Sequence, residues 1–406
     1  MAAATPDVST SPLIALVGNP NCGKTALFNR LTGAKQKVGN YAGVTVERKE
    51  GQFVSPAGQN WRLLDLPGAY SLLAATPDEA ITRDVIAGVR AGESAPVALV
   101  CVVDATNLRL NLRMVLELQT LGVPMVLANA RLSDKSLRQG QRLAALMRPA
   151  AQSLSMVLAQ TADDARRLTE MGAPKVQVCG NVKFDMTPSE ELLARGRSWR
   201  QTSNRPLVLA ASTREGEEPG LLQAWQALRA SPAWPADSCK APRLFIVPRH
   251  PQRFDEVAAL ITAQGFTLSR RNQWPDAQPD ATANRADVWL GDSMGEMPAY
   301  YAAASAALLG GSFAPLGGQN LIEAAACGCP LIMGGSTFNF ADAAQLSELA
   351  GAAFRVQNWL EGTQKALEFC DESVYAHHMK KALEFAQTHR GAARLMTHII
   401  WGITSP

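Results

Sequence analysis

Paired cysteines, long apolar runs, charge of one sign and low-complexity tracts are all missing from this chain. Its seven cysteines, Cys22, Cys101, Cys179, Cys239, Cys327, Cys329 and Cys370, are odd in number and scattered without a CxxC, and the five histidines show no zinc spacing. That excludes a disulfide framework and a zinc module, and reads as reduced thiols. Lysine and arginine number 39 against 36 aspartates and glutamates, a formal net charge of +3. So small an excess argues against nucleic acid as a partner, because a phosphate backbone selects strongly basic faces. No stretch reaches the roughly 18 apolar residues of a spanning helix, and the opening MAAATPDVST has neither a basic region nor an apolar one behind it. A soluble, cytoplasmic protein is the expectation.

What is there is globular: 47% hydrophobic and 18% charged residues over 406 positions, room for two or three cores. Apolar, β-prone runs alternate with helical stretches. PLIALV, WRLLDL, VALVCVVDA and VPMVLA are separated by TALFNRLTG and the amphipathic NLRLNLRMVLELQTLG. The rhythm goes on through VLAQT, KVQVCGN, PLVLAAS, RLFIVP, DVWLGD, AALLGG and CPLIMGG. This is the pattern of an α/β protein with parallel, Rossmann-like sheets, whose strand-end turns bind ligands. The motif content divides the chain into a flexible tail (1–11), a first part (12–128), a middle part and hinge (129–204) and a last lobe with C-terminal helices (205–406).

The first motif is Gly18-Asn19-Pro20-Asn21-Cys22-Gly23-Lys24-Thr25, a full GxxxxGK[ST] between a strand and a helix. Its glycines let backbone N–H groups curl around phosphates, Lys24 reaches the outer phosphates, and Thr25 is placed to ligate Mg²⁺. Downstream, Asp65 in LLDLPG ends a strand where a carboxylate holds the magnesium's water, and Gly68 is placed to sense a γ-phosphate. With VGNYAGVTVE and VVDATNLRLNL, these residues resemble the GTPase domain of the ferrous iron transport protein B family over roughly residues 12–128. The resemblance implies Thr45 as a switch magnesium ligand and Asn21 as a ligand of a potassium ion. In that family an N-x-x-D aspartate reads the guanine. Here the strand VPMVLA runs into Asn129-Ala-Arg-Leu132, so phosphate binding is expected to survive, with GTP or another NTP as ligand, and guanine specificity is not.

The second set of motifs lies beyond residue 128. Gly317-Gly318-Gln319-Asn320 leads into the helical LIEAAACG, where backbone N–H groups can hold a phosphate. Glu323 one turn in can accept both hydroxyls of a ribose. Arg249, after RLFIVP, offers a planar fork for a phosphate or base. NARLSDKS, VLAQTADDARRL, GNVKFD, AASTREGEE, VPRHPQRF, GDSMGEMPAYY, LGGSFAPLGGQNLIEAAACGCPLIMG and FNFAD together resemble the 3-deoxy-D-manno-octulosonic acid (Kdo) transferases of lipopolysaccharide synthesis. Those are GT-B glycosyltransferases of Gram-negative bacteria that use CMP-Kdo as donor and a lipid A precursor as acceptor.

The resemblance implies CMP contacts at Pro248 and Arg249, at Gly295, Glu296 and Met297, and at Asn320, Leu321, Ile322 and Glu323. Met297 stands where that family normally has leucine, a mild change. Lys183 matches the lysine that stabilises the charge developing on the leaving CMP, and His250 reads as a loop hydrogen-bonder rather than a base. The family's catalytic-base glutamate, in a short GE motif, and a second glutamate in an ETELWPN-like stretch have no counterpart, and neither does its hydrophobic N-terminal anchor. Loss of the base removes a factor of about 10²–10⁴ in rate.

The chain thus reads as a Kdo-transferase-like enzyme whose acceptor half is replaced by a GTP-binding segment, with transfer impaired and with peripheral contact to the inner membrane. The alternatives are a GTP-binding module related to ferrous iron uptake and a non-functional fusion. Both families place a parallel strand at the seam, so a hybrid sheet is expected there.

Overall fold

Alternation of apolar strands with amphipathic helices builds two separate, largely parallel sheets. The computed structural model describes residues 11–19, 24–33, 36–41, 46–54, 58–69, 71–73, 76–102, 108–203 and 205–404. The chain forms two compact units, Met1–Asp185 with His389–Pro406, and Met186–Thr388.

In the first unit the strands are β1 (Leu13–Gly18), β2 (Gln36–Asn40), β3 (Glu47–Val54), β4 (Asn60–Asp65), β5 (Ala98–Val102), β6 (Met125–Ala130), β7 (Met156–Ala159) and β8 (Val176–Val178). They lie in the order β2-β3-β4-β1-β5-β6-β7-β8. The β2–β3 and β3–β4 pairs are antiparallel and the rest are parallel. Strand β1 reads LIALVG with every residue buried, the continuous apolar run of a strand covered on both faces.

Its side chains alternate between two cores, as a period of two requires. Leu13, Ala15 and Val17 pack with Met114, Val115 and Leu118. Ile14 and Leu16 pack with Leu27 and Phe28, and with Met396 and Ile400 of the helix Ala392–Thr404. That last helix begins on the carboxylate of Asp185, which accepts the N–H groups of Gly391 (2.5 Å), Ala392 (3.2 Å) and Ala393 (2.5 Å). A carboxylate suits a helix N-terminus because the first N–H groups there have no intrahelical partner.

The seam falls inside this sheet. Strand β6 pairs with β5 on one edge (Val126 with Val100, Leu127 with Cys101) and with β7 on the other (Val126 with Met156, Leu127 with Val157). The ladder to β7 shifts register between Leu127 and Ala130, where Asn129 takes the left-handed conformation at φ 53°. Asparagine is among the few non-glycine residues that tolerate it.

The second unit holds β9 (Leu207–Thr213), β10 (Arg243–Pro248), β11 (Leu268–Arg270), β12 (Val288–Leu290), β13 (Ala306–Leu309), β14 (Leu331–Met333) and β15 (Ala353–Arg355). Their order is β11-β12-β10-β9-β13-β14-β15, all parallel. From β9 the chain first builds outward through β10 and later returns to add β13 on the other side. Strand order therefore reverses between β9 and β13, which opens a crevice at their carboxyl ends.

Candidate functional site

In the first unit the strand–turn–helix of the phosphate motif is formed at both of its described ends. Gly18 closes β1, and Lys24 and Thr25 open the helix Lys24–Thr32. Lys24 Nζ donates to the carbonyls of Gly18 (3.1 Å) and Asn19 (3.3 Å). Thr25 Oγ1 donates to Asp65 Oδ2 at 3.0 Å, because parallel pairing of β1 with β4 sets Asp65 beside Leu16. The other oxygen, Asp65 Oδ1, is buried without a partner among the described residues, as is Asn19 Oδ1. Burial pushes the Asp65 carboxyl up, and the Thr25 bond and the Lys24 charge pull it back.

A threonine hydroxyl and a carboxylate with a free, buried oxygen are hard oxygen donors that suit Mg²⁺. Half-buried Gly68 lies one residue before Ala69, whose N–H reaches the Gly18 carbonyl at 3.3 Å. Pro20, Asn21, Cys22, Gly23 and Thr45 lie outside the described residues, and the potassium expectation lies there with Asn21.

Beyond β6 in the same sheet, Leu132 is 1% exposed. Its N–H is held by Asp164 Oδ1 at 2.9 Å. Asn129 turns its side chain elsewhere: Oδ1 accepts the Val182 N–H (3.2 Å), and its carbonyl accepts Gln160 Nε2 (2.8 Å). Gln160 Oε1 in turn accepts Asn181 Nδ2 (2.9 Å), and Asn181 Oδ1 accepts the Lys183 N–H (3.0 Å). NARLS, VLAQT and GNVKFD thus meet at the ends of β6, β7 and β8 and hold the short turn Val182–Asp185, from which exposed Lys183 projects. Gln160 and Asn181 were not singled out by sequence, since an amide's role depends on which strand end lies beside it.

In the second unit the predicted donor residues follow β10, follow β12 and open the helix Leu321–Ala326. Pro248 ends β10, and the Arg249 N–H bonds the carbonyl of Thr213 on β9 at 3.0 Å. Glu323 lies in the short helix Leu321–Ala326, capped by Asn320 Oδ1 on the Ile322 N–H at 3.2 Å. Burial raises the Glu323 carboxyl, and Arg249 is the charge that opposes the rise. Leu321 and Ile322 are 0% and 1% exposed, so only their backbone is available to a ligand.

Gly317 and Gly318 have φ of 84° and 73°. A Cβ on Gly317 would stand 2.5 Å from Asn339 Nδ2 and 2.6 Å from Phe338 Cε2, so glycine is required twice over. Gly318 N–H bonds the Gly311 carbonyl at 2.9 Å, and Gly310 N–H bonds Ala211 at 2.8 Å, which ties this loop to β13 and β9.

Gly295 is exposed at φ 77°, and Met297 starts the helix Met297–Ala303. The Glu296 carboxylate between them points inward, taking Arg195 (2.6 Å), Arg271 (2.7 Å) and the Ser293 hydroxyl. Burial alone would raise this carboxyl, but Ser293 and the two arginines hold it below the usual carboxylate range. One further residue, not predicted, completes the corner. Glu217 is 2% exposed, and its Oε2 accepts the N–H groups of Arg214 and Gly311, at 2.8 Å each.

Known proteins match the two sets of motifs separately. The family model "Ferrous iron transport protein B" matches residues 13–164, running past the seam through β7. The Fe(2+) transporter FeoB of Shigella flexneri is 50% identical over 115 residues, 28% of this chain and 15% of its own. The 3-deoxy-D-manno-octulosonic acid transferase of Bordetella pertussis is 44% identical over 274 residues, 67% of this chain. The chain spans 62% of that relative's length. A solved structure, the C-terminal CMP-Kdo binding domain of WaaA from Acinetobacter baumannii, is 25% identical over 49% of this chain and 100% of its own, with a TM-score of 0.43.

Proposed function

For a chain that joins a FeoB-type G-domain segment to a Kdo-transferase segment, we propose that the second unit binds a CMP-activated sugar acid, CMP-Kdo, as a glycosyl donor. The observation that carries this reading is the placement of Arg249 on the Thr213 carbonyl and of Glu323 in the helix behind the glycine loop, where strand order reverses. Glu323 suits two ribose hydroxyls, and Arg249 suits the phosphate. Leu321 serves through its backbone N–H group, as does the turn Gly295-Glu296-Met297, and Ile322 through the N–H that Asn320 Oδ1 otherwise caps.

In the reaction, a hydroxyl of the lipid A precursor attacks the anomeric carbon and gives up its proton to water, and the bond from that carbon to the CMP phosphate oxygen breaks. The phosphate then gathers negative charge, whose neutralisation is the role that the Kdo-transferase resemblance gives to Lys183. The chain lacks the family's GE-motif glutamate, so transfer is slowed about 10²–10⁴-fold. Residues 12–128 act as a partial GTPase domain, 129–204 as the rest of the acceptor side with the hinge, and 205–406 as the donor lobe. Acceptor chemistry calls for peripheral contact with the inner membrane from the cytoplasmic side.

The deciding experiment is isothermal titration with CMP, repeated on Glu323→Ala and Arg249→Ala. Binding in the parent that both variants lose supports the donor site; no heat from the parent sinks it.

A second reading rests on the Thr25–Asp65 bond. A bound Mg²⁺ would neutralise phosphate charge there, with Thr25 as direct ligand, Asp65 through water and Lys24 on the phosphates. The ligand is a nucleoside triphosphate, GTP or another, and the test is Mg²⁺-dependent binding of a fluorescent analogue. A parent that binds neither CMP nor triphosphate is a fusion without function.

A further inference from the structure

Among the described residues beside the donor site stands a cation that the donor reading does not use. Arg214 directly follows β9 and is half-buried. Its guanidinium has no hydrogen-bond or ion-pair partner among the described residues. In the same unit Arg195, Arg205, Arg243, Arg253, Arg270 and Arg271 are all engaged by carbonyls or carboxylates. A partly desolvated guanidinium carries five N–H donors that need acceptors.

The backbone under Arg214 is fixed. Its N–H lies on Glu217 Oε2, the same oxygen that holds Gly311, and Gly311 in turn holds Gly318 of the glycine loop. A Cβ on Gly311 would stand 3.6 Å from Arg214 Cγ and 3.3 Å from Gln319 Nε2, so the arginine stem lies against the glycine turn. The 3.0 Å bond from Arg249 N–H to the Thr213 carbonyl sets the two arginines on neighbouring strand ends, and neighbouring strands run about 5 Å apart.

We infer that Arg214 binds the carboxylate of the donor's sugar acid, an inference that rests on the donor reading above. A CMP-activated 2-ulosonic acid carries two anions on one carbon, since the anomeric centre bears both the phosphate ester and the carboxylate. Two forks on adjacent strand ends match two anions so disposed. Arg249, beside Glu323, takes the nucleotide side, which leaves the carboxylate for Arg214. Arginine's planar fork pairs with a carboxylate through two parallel hydrogen bonds, which a lysine cannot reproduce.

The test is titration of the full chain with CMP and with CMP-Kdo, for the parent, Arg214→Gln and Arg214→Lys. Loss of the fork is expected to weaken CMP-Kdo about tenfold or more, with CMP alone held within about twofold and Arg214→Lys falling between. An equal loss for CMP overturns the inference in favour of a phosphate contact, and unchanged affinity for both ligands overturns it outright. A parent that binds neither ligand sinks the donor reading and the inference with it. Melting temperatures of the variants are expected to match the parent, because no internal partner is removed; should Arg214→Gln unfold, Arg214→Lys carries the comparison.

Discussion

A single carboxylate oxygen, Glu217 Oε2, accepts the backbone N–H groups of Arg214 and of Gly311, 2.8 Å from each. The first directly follows β9 and the second lies two residues past β13, so this bond pair ties the two strand ends together. Glu217→Ala leaves the buried Gly311 N–H unsatisfied, at a cost of about 1–3 kcal/mol. Urea unfolding of the second unit is expected to shift by that amount, and CMP affinity to fall with it. Burial raises the Glu217 carboxyl in the folded state, against the pull of Gly311 and Arg214. A raised folded value contributes stability that is present below the unfolded pKa of 4.5 and lost as pH rises through the folded value. The deficit of Glu217→Gln relative to the parent is therefore expected to grow toward acid.

Glu296 should behave in the opposite sense. Its carboxyl is held below 4.5 in the folded state, burial being outweighed by Ser293, Arg195 and Arg271. Its contribution is present above the unfolded pKa and disappears as pH falls through the folded one. Glu296→Gln is expected to cost about 3 kcal/mol at neutral pH, the low end for a buried pair because the Arg195 side chain is 28% exposed. Denaturation of parent and variant at pH 7 and again below pH 4 should show the gap narrowing; a constant gap would mean that the ion cluster does not stabilise the loop.

Gly317→Ala meets both a left-handed backbone and a 2.5 Å contact with Asn339. The conformational term alone is about 1–2 kcal/mol, and CMP titration is expected to show at least a tenfold loss. Gly335, two residues past β14, has nothing within 4 Å of the place a methyl group would take, so Gly335→Ala is the control and should stay within about 0.5 kcal/mol of the parent.

Asp65→Asn keeps the shape beside Thr25 and removes the charge. Magnesium-dependent triphosphate binding is expected to drop at least tenfold while CMP binding is unmoved. Equal binding in parent and variant would remove Asp65 from the metal site.

Asn129→Ala removes the acceptor of the Val182 N–H while asking alanine to hold φ 53°. A loss of about 1–3 kcal/mol is expected in the first unit's thermal unfolding. Asn129→Gly, free of the backbone cost, should lose less.

How far these sites were legible depended on how local each one is. Lys24 and Thr25 belong to one short motif, and Asp65 reaches Thr25 because the pairing of β1 with β4 sets it there. The seam strand was readable because VPMVLA is an apolar run of strand length, and β6 pairs with β5 on one edge and β7 on the other. Glu217 was not, since it meets Gly311 only after the sheet has folded. The Glu296 side chain was legible in position and not in direction: Arg195 and Arg271 that hold it lie on other segments. Arg243 is the extreme case, fully buried over the Trp289 ring at 4.5 Å with carbonyls for company, where charge would place it at the surface.

The helix Ala392–Thr404, from the far end of the sequence, lays Met396 and Ile400 on Leu27 and Phe28, while β7 covers the outer edge of β6. Cutting the chain at its apparent join would strip both covers at once. The front piece would show a bare strand edge and an apolar face, features that drive precipitation, and the rear piece would carry the matching sticky surfaces. The two pieces are accordingly expected to stay in solution only when co-expressed.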